Sequence, residues 1–62
     1  MNLTINGTTT ATTVDTLGAL LGTLPPGCAV AVNGEVVPRA DVPGTRLAEG
    51  DVVELVTAVA GG

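Results

Sequence analysis

The chain contains no lysine, histidine, serine, phenylalanine, tyrosine or tryptophan. Without serine and histidine there can be no Ser-His-Asp triad. Without lysine there can be no lysine Schiff base. Cys28 is the single cysteine, which rules out an internal disulfide or a cysteine metal cluster. Arg39 and Arg46 are the only basic side chains. Nucleic acid and anionic membrane surfaces need clustered positive charge, so neither is an expected partner. No apolar run approaches the length that spans a bilayer. The opening Met1-Asn2-Leu3-Thr4-Ile5 lacks the basic start and long apolar segment of a secretion signal, so a cytoplasmic location is expected.

What remains is small, acidic and aliphatic. Sixty-two residues make one domain, and the net charge of −4 suits a basic protein partner. Hydrophobic residues make up 45% of the chain, so the core must be built from Val, Leu, Ile and Ala. A chain this short buries roughly 60% of its unfolded surface, which leaves little room for an enclosed active site beside a core.

Along the chain, Leu3-Thr4-Ile5 alternates apolar and polar as a strand does. Asn6-Gly7 is a two-residue hairpin signal, and the β-branched Thr8-Thr9-Thr10-Ala11-Thr12 reads as the return strand. A helix follows, with Thr13 as N-cap and Asp15 in the first turn, where the helix dipole favours negative charge. Its apolar stripe is Val14, Leu17, Leu20, Leu21 and Leu24. Gly18 weakens that helix by about 1 kcal/mol relative to alanine, and close packing against the sheet would account for it. Gly22 or the residues just after it end the helix, and Pro25-Pro26-Gly27 cannot continue it.

Cys28-Ala29-Val30-Ala31-Val32 reads as a buried strand, Asn33-Gly34 as a second hairpin turn, and Glu35-Val36-Val37 as its partner, closed by Pro38. Residues 39–45 are expected to form a loop with Leu47 tucked beneath as a core anchor. Glu49-Gly50-Asp51 is a tight turn into the last strand, which begins at Val52 and feeds a tail.

The order is therefore β-β-α-β-β-β. The first and last strands can pair in parallel at the sheet centre while the helix crosses one face, which buries one helix stripe against one sheet face. The fold class expected is α+β, a mixed sheet of four to five strands with one helix packed on one face. Residues 1–62 make a single domain, with 58–62 as a flexible C-terminal tail. Val53 and Leu55 should point inward. Val52, Glu54 and Val56 should point outward, joined by Val36 or Val37. An exposed apolar patch rimmed by charge is a docking surface, although single exposed valines are common.

Catalytic groups are scarce. Asp15, Glu35, Asp41, Glu49, Asp51 and Glu54 are scattered over expected turns, caps and exposed strand positions. Glu49 and Asp51 could hold a cation weakly, but a solvated turn is the simpler reading, and no metal site is expected. Cys28, opening a strand with no cation beside it in sequence, reads as a small hydrophobe. The remaining group is the carboxylate of Gly62. Gly61-Gly62 is thin and tolerates almost any backbone angle, so it can pass through a narrow channel into another protein's active site. A frayed terminus is the plainer alternative. A carboxylate becomes a useful electrophile once a partner activates it with ATP as an acyl-adenylate. Sulfur can then replace the AMP.

Three segments carry a family resemblance. They are Ala31-Val32-Asn33-Gly34-Glu35-Val36-Val37-Pro38-Arg39, Leu47-Ala48-Glu49-Gly50-Asp51-Val52-Val53-Glu54, and Val59-Ala60-Gly61-Gly62. In order, spacing and ending the chain resembles the ThiS family of sulfur carriers of thiamine biosynthesis, over almost its whole length. The resemblance implies a ubiquitin-like β-grasp fold and a protein co-substrate with no catalytic residues of its own. It implies that Gly62 is adenylated by a ubiquitin-activating-type adenylyltransferase (ThiF-like), with ATP bound by that partner, and then becomes a thiocarboxylate. The sulfur would come from a donor such as a cysteine desulfurase and pass to thiazole synthase (ThiG-like). Val59, Ala60, Gly61 and Gly62 would thread into the partners while Val52, Glu54 and Val56 dock. The chain departs from many members in lacking aromatic core residues and in a compressed segment before the helix. Alternatives are the small subunit of molybdopterin synthase, another sulfur carrier with the same tail chemistry, a ubiquitin-like conjugating modifier, and a plain interaction module.

Overall fold

The computed structural model describes residues 1–57. Five strands form one sheet: β1 (Asn2–Ile5), β2 (Thr8–Ala11), β3 (Cys28–Val32), β4 (Glu35–Val37) and β5 (Val52–Thr57). The spatial order is β2-β1-β5-β3-β4. β5 lies at the centre, parallel to β1 and antiparallel to β3, and both hairpins, β1–β2 and β3–β4, are antiparallel. The expected parallel pairing of first and last strands is therefore present, in a mixed sheet of five strands with one helix.

Both hairpins turn on Asn-Gly. Asn6 and Gly7 have φ of 48° and 83°, and Asn33 and Gly34 have 53° and 83°. A two-residue turn with positive φ at both positions matches the right-handed twist of the flanking strands, and Asn-Gly is the pair that adopts it at least cost. The sequence pattern thus fixes where each hairpin reverses.

The helix α1 spans Leu17–Leu21, shorter and later than its apolar stripe suggests. Thr16, not Thr13, is the N-cap, and its hydroxyl accepts the backbone N–H of Ala19 at 3.1 Å. The reason is tertiary. Thr16 forms an antiparallel bridge with Arg46. Leu17 N–H donates to the Thr45 carbonyl, and Leu47 N–H to that of Asp15, both at 2.8 Å. These bonds hold Thr16 extended, with φ of −126° and ψ of 152°, and postpone the helix by a turn. Asp15 is accordingly outside the helix, and its carboxylate meets Arg46 at 3.1 Å. That pair is largely exposed, with side-chain accessibilities of 59% and 79%, so it contributes at most about 1 kcal/mol. Gly22, with φ of 69°, ends the helix as expected, its N–H donating to the Gly18 carbonyl at 2.8 Å.

Residues expected as a loop instead form a 3-10 helix, Arg39–Gly44. Gly18 packs against this element rather than against the sheet: a Cβ on Gly18 would stand 2.7 Å from Pro43 Cα. The closeness of α1 to the 3-10 helix explains the glycine in the helix. Val42, from the same turn, is buried.

The core consists of Leu3, Leu17, Leu24, Val30, Val42, Leu47 and Val53. Leu47 is the anchor expected. Ile5, Leu20, Leu21, Cys28, Val32, Val37 and Leu55 pack around it, half-buried. Cys28 thus behaves as a small hydrophobe at the core margin. No buried side-chain polar atom among the described residues lacks a partner. The expected tail, 58–62, lies outside the described residues. No helix of the described chain is long and apolar enough to cross a membrane.

Candidate functional site

β5 connects the core to everything functional that the sequence suggests. It leads directly into the tail, and its outward residues are the docking candidates. Its position is set by the two asparagine turns, one on each side. On the β1 side, Thr4 N–H donates to the Asp51 carbonyl and Asn6 N–H to the Val53 carbonyl, each at 3.0 Å. β1 ends at Ile5, yet Leu55 N–H finds a further acceptor in Asn6 Oδ1 at 2.8 Å. The side chain of Asn6 thus replaces the backbone carbonyl that a longer strand would have supplied.

On the β3 side, Asn33 N–H donates to the Val52 carbonyl at 2.7 Å, and Val52 N–H donates to Asn33 Oδ1 at 3.0 Å. Asn33 Nδ2 also donates to Asp51 Oδ1 at 3.0 Å. The sequence marks these asparagines as turn residues only. Their second task, holding the start and middle of β5, follows from the three-dimensional pairing and has no local signal.

The carboxylates of the tight turn before β5 are structural. Asp51 Oδ2 accepts Ala48 N–H at 2.8 Å, and both Glu49 oxygens accept Asn2 N–H, at 3.0 and 3.1 Å. Among the described residues no group of three or more His, Cys, Asp or Glu could hold a metal ion.

At the other end of the strand, Thr57 lies opposite Cys28. That end is tied down by Arg39. Its Nη1 donates to the Leu24 carbonyl at 2.6 Å, and its Nη2 to those of Pro25 and Cys28 at 2.9 and 3.0 Å. One guanidinium therefore fixes the whole 24–28 turn at the edge from which the tail departs. The open cleft beside it, lined by Leu24, Arg39, Val42 and Pro43, holds a guanidinium already committed to carbonyls.

Strand alternation decides what the sheet shows to solvent. Val53 is fully buried and Leu55 half-buried, whereas Val52, Glu54 and Val56 are exposed on the other face. The structure thus brings all three docking candidates together. Of the two valines that could join them, Val36 does: it pairs with Ala31, which pairs on its other side with Glu54. Val37 instead packs against the core. Ala29, opposite Val56, and Ala31 also belong to this face. The period-two pattern of 28–32 already places them there, but small residues draw no notice in a sequence. Val59, Ala60, Gly61 and Gly62 lie outside the described residues.

A five-stranded mixed sheet in the order β2-β1-β5-β3-β4, with one helix, is the ubiquitin-like β-grasp arrangement. The model of the ThiS family matches residues 3–62. The chain belongs to the ThiS family. Among solved structures it is similar to the thiamine biosynthesis protein (ThiS) from Geobacter metallireducens, with 32% sequence identity, full coverage of both chains and a TM-score of 0.77. Comparison with curated proteins gives no match.

Proposed function

We propose that this chain carries sulfur for thiamine biosynthesis as a thiocarboxylate on Gly62. Membership of the ThiS family supports a small sulfur-carrier protein whose chemistry is performed by its partners. The observation that supports the reading is that the family match covers residues 3–62, a range that includes Gly61 and Gly62.

The steps follow from carboxylate chemistry. An adenylylating partner binds ATP, and an oxygen of the Gly62 carboxylate attacks the α-phosphorus. Pyrophosphate leaves and an acyl-adenylate remains. A sulfide-equivalent nucleophile, derived from a donor such as a cysteine desulfurase, adds to the acyl carbon and expels AMP. AMP departs with one of the original carboxylate oxygens, and sulfur takes its place. The thiocarboxylate then delivers its sulfur to thiazole synthase; an oxygen from water or from the acceptor's carbonyl replaces it at the acyl carbon, and the carboxylate is restored. The chain is a co-substrate throughout: it supplies the acyl group and the recognition surface, and its partners supply catalysis.

Thin glycines let Val59, Ala60, Gly61 and Gly62 enter a partner's channel, while the exposed face of β5 at Val52, Glu54 and Val56 rests against the partner's surface. The test is ATP–pyrophosphate exchange with the host's adenylylating enzyme. The full chain should support exchange, and the chain lacking Gly62 should not. Equal exchange by both would contradict the reading.

A further inference from the structure

The exposed face of the sheet is not simply apolar. Three of the four large hydrophobic residues exposed in the described chain lie on it: Val36, Val52 and Val56, with accessibilities of 66%, 37% and 56%. Among them stands Glu54, also exposed. The cross-strand register places Val36, Ala31 and Glu54 in one row over β4, β3 and β5. Residues directly opposite one another point to the same side, and adjacent strands lie about 4.8 Å apart, so Val36 and Glu54 stand roughly 10 Å from each other across Ala31. The methyl group of Ala31 makes the low middle of that row, with a valine wall at one end and a carboxylate at the other.

Among the described residues no cation pairs with this carboxylate. The sequence has two basic side chains. Arg46 is paired with Asp15, and Arg39 donates to the carbonyls of Leu24, Pro25 and Cys28. The N-terminal amine donates to the Thr12 carbonyl at 2.7 Å. Each cation of the described chain is engaged away from Glu54, so a partner that covers this face has to supply the donors this carboxylate loses from water, and a cation supplies the strongest of them.

We infer that the outer face of β3, β4 and β5 receives a basic side chain of the partner protein, its aliphatic stem laid over Ala31 against Val36 and its charged head on Glu54. An arginine fits the row best. Its stem covers apolar surface while the guanidinium remains free to pair bidentately with a carboxylate. Val52 and Val56 flank Glu54 along β5 and would exclude water from the pair, which strengthens it. The partner surface is therefore an apolar hollow with one basic residue, not a broadly basic one. The inference rests on the carrier reading only in taking the adenylylating enzyme as that partner.

The test compares binding of the full chain and its Glu54→Gln and Ala31→Leu variants to the host's adenylylating enzyme by calorimetry, at low and high salt. Glu35→Gln is the control, because it removes the same charge from the inward-facing register of β4, opposite Val32. Glu54→Gln should weaken binding by roughly tenfold and flatten its salt dependence. Ala31→Leu, which fills the middle of the row and leaves all charges in place, should weaken it similarly, and Glu35→Gln should leave it unchanged. Thermal melts confirm that each variant is folded. If Glu54→Gln binds with unaltered affinity and salt dependence, the inference is overturned, and exchange supported by the same chain leaves the carrier reading standing. Tight, Glu54-dependent binding without exchange supports the docking row and contradicts the carrier reading. No binding by the unaltered chain contradicts both.

Discussion

Gly18 and Pro43 are in backbone contact: a Cβ on Gly18 would sit 2.7 Å from Pro43 Cα and 2.8 Å from its carbonyl oxygen. The clash would be with main chain, which cannot swing aside as a flexible side chain can. Gly18→Ala should therefore destabilise the protein, although alanine is favoured over glycine by about 1 kcal/mol in a helix interior. Forcing α1 and the 3-10 helix apart is an overpacking cost of roughly 1–3 kcal/mol, so the net change should be a loss of roughly 0–2 kcal/mol, read as a lower Tm. A higher Tm would mean that the two elements separate freely.

Asn6 has two tasks that substitutions can divide: it adopts a φ of 48°, and its Oδ1 accepts Leu55 N–H. Asn6→Asp keeps both an acceptor and a residue tolerant of positive φ, and should cost least. Asn6→Gly keeps the turn and loses the acceptor, at about 1 kcal/mol. Asn6→Ala loses both and should cost about 2 kcal/mol. Hydrogen exchange at the Leu55 amide should quicken in the glycine and alanine variants before neighbouring amides do. Unchanged protection there would show that water serves Leu55 as well as Asn6 does.

Arg39 donates to three carbonyls from a planar fork, a pattern that lysine cannot reproduce. Arg39→Lys should therefore recover little of the loss caused by Arg39→Ala, which should be about 1–2 kcal/mol for a partly exposed charged donor. The 24–28 turn sits at the end of β3 opposite Thr57, so Arg39→Ala should also raise hydrogen exchange at Cys28. Full rescue by lysine would show that only the charge matters.

The parts of this fold visible in the sequence are those whose causes are local. Asn6-Gly7 and Asn33-Gly34 announce both hairpins because few other residue pairs accept positive φ twice in succession. The alternation of Val52 to Val56 sorts β5 into an inward and an outward face, and so foretells where Val52, Glu54 and Val56 stand. What the sequence conceals depends on partners distant along the chain. Thr13 and Thr16 are equally good caps on local grounds, and the choice is made by Thr45, Arg46 and Leu47 some thirty residues later. The 3-10 helix hides behind Pro43 and Gly44, which read as loop residues. Arg39, with Glu35 and Asp41 close by in sequence, gives no hint that it serves three carbonyls instead. The candidate site divides in the same way: the valines and Glu54 follow from periodicity, whereas the contribution of Ala31 emerges only when β3, β4 and β5 are set side by side.

The central claim is that Gly62 is the atom-carrying end of the molecule. Its most direct test is an intact mass of the full chain after incubation with ATP, a sulfide source and the host's adenylylating enzyme, followed by fragmentation to locate the change. The account predicts exchange of one carboxylate oxygen for sulfur, confined to Gly62 and dependent on ATP. A chain that forms the acyl-adenylate with the competent enzyme, yet never gains sulfur at Gly62, would contradict it.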